Sequence, residues 1–135
     1  QVAFPGGALD PDDTSLQATA LREMHEEIGI APDEVRVLGR LHDFITITSF
    51  QVTPFIGRIP WPYPLKLEQN EVSRAFTIPL EWLADSHNHR IQQRALPPPY
   101  EPVPVVYFEP HDGEVLWGAT AVFTLALLDA LACAV

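Results

Sequence analysis

Residues 4–30 read FPGGALDPDDTSLQATALREMHEEIGI: a glycine turn, a run of capping residues, then one amphipathic segment. Asp10, Asp12, Asp13, Thr14 and Ser15 are all residue types that cap helix N-termini. The spacing predicts a helix from near Ser15 to Ile28, with Leu16, Ala20, Met24 and Ile28 as a core stripe at steps of four. Gly29 is the predicted C-terminal stop. On that helix Glu23, Glu26 and Glu27 are neighbours by the i, i+3 and i+4 rule. Three carboxylates so close repel one another unless a cation lies between them. Oxygen-only donors favour a hard divalent ion, Mg²⁺ or Mn²⁺. The plain alternative is a solvated acidic helix face, and the company of Gly7, Arg22 and Gly29 favours the metal reading.

Working outward, Val35 to Leu41 alternates apolar and polar, as a half-buried strand does. Residues 44–59 are rich in β-branched and aromatic types and are predicted to hold a second and a third strand, bent around Ser49. Prolines 60, 62 and 64 mark a loop carrying Trp61 and Tyr63. Another strand is expected over 72–78, then a short helix over 79–84 and a long loop over 86–102. Asp112-Gly113 predicts a hairpin turn between strands at 103–108 and 114–117, before a closing helix from Gly118 to Ala132. Helices mixed with short strands predict an α/β fold, a mixed sheet with helices packed on it.

At 135 residues the chain is expected to form one domain, 1–135, and its 47% hydrophobic content suits a folded core. Eight Lys and Arg against eighteen Asp and Glu leave a formal charge of -10. Such a surface disfavours nucleic acid and anionic membranes as partners, so a phosphate-bearing substrate is better met through a cation. The apolar stretch 119–135 is interrupted by Asp129 and is short for a membrane span, so a buried core helix is expected. The one cysteine, Cys133, excludes a disulfide within this chain and suits a reducing, cytoplasmic setting. It is read as a small apolar residue at a helix end rather than as a reactive thiol.

The stretch 6–30 resembles the Nudix box, G-x5-E-x7-R-E-U-x-E-E-x-G-U, where U is a bulky aliphatic residue. From Gly7, five residues lead to Asp13 in place of the usual Glu, and eight rather than seven separate Asp13 from Arg22. Arg22, Glu23, Met24, Glu26, Glu27, Gly29 and Ile30 then match throughout. Those two departures resemble the coenzyme A diphosphatase branch. Gln51–Gly57, Asn70–Phe76 with Pro79-Leu80, and Trp117–Ala121 resemble segments of that branch in the same order. The resemblance implies a Nudix-type α/β/α sandwich. In the branch, strands and an arginine-bearing segment precede the box. This chain opens at Gln1, so the usual N-terminal strands are expected to be missing or replaced.

The resemblance also implies an activity, metal-dependent hydrolysis of a pyrophosphate bond. The leading substrate is a small nucleotide derivative such as coenzyme A, cleaved to 3′,5′-ADP and 4′-phosphopantetheine. Another substrate such as ADP-ribose or a dinucleoside polyphosphate, or a silent nucleotide-binding module, stands as the alternative. Glu26 and Glu27 are expected as ligands, with Glu23 a ligand or a water-orienting carboxylate. Arg22 either contacts phosphate or, as the family implies, locks a carboxylate of the box. Gly6 and Gly7 are expected to let the backbone pass close to the helix, with a carbonyl near Gly6 as a further metal donor. Asp13 either caps the helix or stands in for the first glutamate of the box. The family takes a further glutamate, base or ligand, from a distant loop; Glu71 is the first candidate, ahead of Glu68 and Glu101. His42, His87 and His89 suit a base by type alone, and Trp61, Tyr63 and Phe50 could stack on a base ring. Oligomeric state is left open.

Overall fold

Ser15 starts the first helix. Its backbone is extended (φ -163°, ψ 168°), and its Oγ accepts the Ala18 N–H at 3.1 Å, satisfying one of the orphan donors of helix α1 (Leu16–Ile28). At the other end Gly29 turns left-handed (φ 78°), its N–H donating to His25 O. Both ends fall where the sequence places them. Of the core stripe, Ala20, Met24 and Ile28 are half-buried while Leu16 is exposed, and the fully buried residue of α1 is Thr19. Its hydroxyl is buried because it has a carboxylate to bond, Asp13.

In this computed structural model residues 1–133 are described, with the side chain of Cys133 excepted; the reading of Cys133 as apolar packing therefore lies outside the described residues. The chain divides into two compact units, Phe4–Phe76 and Gln1–Ala3 together with the residues from Thr77 onward. The first contains α1, a 3₁₀ turn at Pro32–Glu34 and strands β1 (Arg36–Arg40), β2 (Phe44–Ile45), β3 (Gln51–Val52) and β4 (Phe55–Arg58). β1 pairs antiparallel with β4, with an irregularity between Val37 and Gly39, and β2 pairs antiparallel with β3. Ser49, at φ 65°, makes the expected bend. Residues 44–59 hold three short strands where two are predicted, because Thr53-Pro54 interrupts the run. Asp43 pins the hairpin by accepting from Thr53 Oγ1 at 2.7 Å, Gln51 Nε2 at 2.6 Å and Arg40 Nη2 at 3.2 Å. These bonds hold its carboxyl below the ordinary range, Thr53 contributing most.

No strand forms over 72–78. The start of that segment is drawn into a turn by Val72 N–H donating to Glu68 O.

The second unit contains α2 (Leu80–Ala84), a 3₁₀ turn at Ser86–Asn88, β5 (His89–Arg94), β6 (Val103–Phe108) and α3 (Gly118–Cys133). β5 corrects the expected long loop. Its residues HRIQQR lack apolar alternation because the ribbon it forms with β6 is largely exposed on the β5 side. Arg90 and Arg94 lie over the rings of Tyr107 and Trp117. Asp112 (φ 49°) and Gly113 (φ 80°) make the hairpin turn. The strand beyond it is reduced to isolated bridges, Tyr107 to Trp117 and His111 to Glu114. The core of this unit is Leu83, Phe108, Leu116 and Ala121. Thr120 Oγ1 ties in the first residues by donating to Val2 O at 3.0 Å.

The fold is α/β. Among the described residues its strands pair as three two-stranded antiparallel ladders in place of one mixed sheet. None of the described helices is long and apolar enough to cross a membrane.

Candidate active site

Because Ser15 supplies the cap, Asp13 is free for another task. Its side chain is 6% exposed and accepts four hydrogen bonds at 2.9 Å: Arg22 Nε on Oδ1, and Arg22 Nη2, Thr19 Oγ1 and Asp10 N–H on Oδ2. Those bonds, the guanidinium first, hold the Asp13 carboxyl far below the ordinary carboxylate range and raise Arg22 in turn. The capping alternative for Asp13 is thereby corrected. Arg22 bridges outward from this anchor. Its Nη1 donates to Glu23 Oε1 and Glu26 Oε2, each at 3.1 Å, and its Nη2 to Ala8 O at 3.2 Å. Every donor direction of the fork has a protein partner, four of the five being carboxylate oxygens.

Above the helix passes the glycine turn. A Cβ built on Gly7 would collide with the Glu23 carboxyl group, so any larger residue there would push that carboxyl aside. At Gly6 a Cβ would meet nothing within 4 Å, and its backbone N–H bonds the Glu27 carboxylate.

Glu27 is in the opposite condition to Asp13. Burial comes first among the causes that raise its pKa; the charges of Glu23 and Glu71 add to it, and the Gly6 N–H opposes them. Glu23 is also close enough to Glu27 to share a hydrogen bond with it. Glu71 reaches this group by backbone contacts: Lys66 N–H donates to Ile28 O and Glu68 N–H to Glu27 O, both at 2.9 Å, and the chain turns at once so that Glu71 N–H meets Glu68 O.

The structure thus brings the charges of Glu23 and Glu71 to bear on Glu27. It turns Glu26, 57% exposed, toward Arg22. Among the described residues no three His, Cys, Asp or Glu side chains already stand as a closed ligand set. The donor chemistry nonetheless fits a hard divalent ion: neighbouring carboxylates, one with its proton affinity raised by burial and then by like charge, all offering oxygen.

The side chains of the remaining sequence candidates have other partners or stand exposed. Glu68 uses Oε1 to accept the Asn70 N–H, and Glu101 is exposed in the second unit. His42 packs on Phe44, His87 bonds Asp85 and His89 packs on Phe108. Tyr63 donates to Glu34 Oε1 and accepts from Ala31 N–H, while Trp61 and Phe50 are exposed. What sequence reading misses is the Lys66 and Glu68 backbone contact, which no side chain announces, and Thr19.

The NUDIX domain family model matches residues 1–101. Over 80 residues the chain is 50% identical to a protein of Escherichia coli O6:H1 named "Uncharacterized Nudix hydrolase NudL", covering 59% of this chain and 42% of that one. It is 51% identical, over the same coverage, to proteins of that name from Salmonella paratyphi B and Salmonella newport. The chain therefore spans under half the length of these curated relatives.

Proposed function

The chain belongs to the Nudix domain family, and from that premise we propose that it hydrolyses a pyrophosphate bond in a nucleoside diphosphate derivative, using Mg²⁺ or Mn²⁺. The observation that carries this reading is the Glu23–Glu27 carboxylate pair held under the Gly7 turn, with Glu27 raised by burial and by its neighbours' charge. A divalent ion at that pair would neutralise charge on the phosphate oxygens and polarise a water. Glu23 and Glu27 hold it. Glu26, engaged by Arg22 through Oε2, leaves Oε1 for the same task. Asp13 fixes Arg22, and Arg22 fixes the orientation of Glu23 and Glu26. Glu71 is assigned the base. It takes a proton from the attacking water as the water oxygen bonds to phosphorus and the bridging P–O bond breaks.

The substrate assigned is coenzyme A or a derivative, giving 3′,5′-ADP and 4′-phosphopantetheine in the cytoplasm. Support comes from the Asp13 variant of the box and from the resembling segments outside it. Incubation with coenzyme A, ADP-ribose and a dinucleoside polyphosphate, each with Mg²⁺ or Mn²⁺, followed by product analysis, tests it. Preference for coenzyme A supports the assignment. Preference for another diphosphate keeps the chemistry and moves the substrate, and tight nucleotide binding with no product under saturating metal overturns the enzymatic reading.

A further inference from the structure

Gly29 is more than a helix stop. Its positive φ and its bond to His25 O account for the end of α1. They do not account for what faces it. A Cβ at residue 29 would lie 2.7 Å from Lys66 Cβ, 2.9 Å from Lys66 N and 3.0 Å from Lys66 O, an approach that backbone atoms do not yield to easily. At this spot the two segments are joined by the Lys66-to-Ile28 and Glu68-to-Glu27 backbone bonds. Directly beyond, Glu71 and Val72 N–H donate to Glu68 O at 3.1 and 2.8 Å, and Asn70 N–H to Glu68 Oε1 at 3.1 Å. One tight turn therefore separates the fixed Glu68 from Glu71. No side chain of Lys66 is needed. The segment that carries Glu71 is held to the helix end by the Lys66 and Glu68 main-chain bonds to Ile28 and Glu27, at a separation that the missing Cβ of Gly29 permits.

We infer that the Gly29–Lys66 contact is a spacer that sets Glu71 opposite Glu27, making Gly29 a positioning residue for divalent-cation binding. This rests on the cation site proposed above. A role limited to ending the helix is separable, because asparagine tolerates left-handed backbone but carries a Cβ.

The test is Mn²⁺ affinity of the full chain, read by electron paramagnetic resonance, with amide exchange at Glu68 as a structural readout. Glu71→Gln is expected to weaken Mn²⁺ binding about tenfold, because the negative charge of the proposed base bears on Glu27 and so also attracts the ion. Gly29→Asn is expected to match that loss and to speed exchange of the Glu68 amide. The double variant should be no weaker than Glu71→Gln alone, since both changes remove one interaction. Lys66→Pro deletes the N–H that Ile28 O accepts while leaving Gly29 intact, and the same loss is expected; it stands in if Gly29→Asn fails to fold. Wild-type affinity in Gly29→Asn, Lys66→Pro or Glu71→Gln, or losses that multiply in the double variant, would overturn the inference. Absence of Mn²⁺ uptake by the wild type would instead sink the cation site itself, and the inference with it.

Discussion

Asp13 and Glu27 are carboxylates on the two flanks of one arginine-glutamate stretch, and the fold treats them in opposite ways. Asp13 takes four hydrogen bonds and is held far below the ordinary carboxylate range. Glu27 has burial and two like charges against it and one N–H in its favour. A satisfied acid rigidifies its surroundings; a frustrated one is costly unless a counter-charge arrives. Asp13 is scaffold and Glu27 is where chemistry is expected. Arg22 connects the two conditions, fixed at one end and steering Glu23 at the other.

The strongest way to break this contrast is Glu27→Gln. We expect turnover to be abolished while the melting temperature in the absence of metal holds or rises, because a repelled charge is removed; assay and thermal melt together check it. Asp13→Asn should do the reverse, lowering the melting temperature and, by freeing Arg22, cutting turnover roughly ten- to a hundredfold. Gly7→Ala is next. Its Cβ must displace the Glu23 carboxyl, so Mn²⁺ affinity should fall about tenfold with helix content unchanged by circular dichroism.

The smallest effect lies in pH. A depressed pKa makes the Asp13 contribution present above the ordinary carboxylate range and lost as pH falls through its folded value. The raised pKa of Glu27 works the other way: stability falls as pH rises from the ordinary glutamate value through the folded one. Melts across pH should therefore show Mn²⁺ stabilising the chain at neutral pH and hardly at all near pH 4, where Glu27 keeps its proton.

Much of the first unit was legible because its signals are local. Ser15, the carboxylate spacing and Gly29 act within a few residues, and α1 begins and ends where they say. Asp13 was visible as a candidate, but its role was not, since Ser15 and Asp13 are both competent caps and only the fold decides which one bonds the Ala18 N–H. β5 was illegible because an exposed ribbon needs no apolar alternation; its partner β6 carries the buried residues Val105 and Phe108. The predicted strand at 72–78 failed for the converse reason: suitable residues without a partner strand do not make a ladder. Glu71 was placed by motif resemblance, whereas the route by which it approaches Glu27 is main-chain bonding and leaves no trace in residue types.

The central claim is that the Glu23–Glu27 pair holds a divalent cation while the Asp13–Arg22 anchor stays as it is. Anomalous diffraction from manganese-soaked crystals at neutral pH tests it most directly. The account predicts a manganese peak between the Glu23 and Glu27 carboxylates, with the Asp13–Arg22 bonds unchanged. A peak elsewhere with that pair left empty, or Arg22 released from Asp13 to reach the ion's ligands, would contradict it.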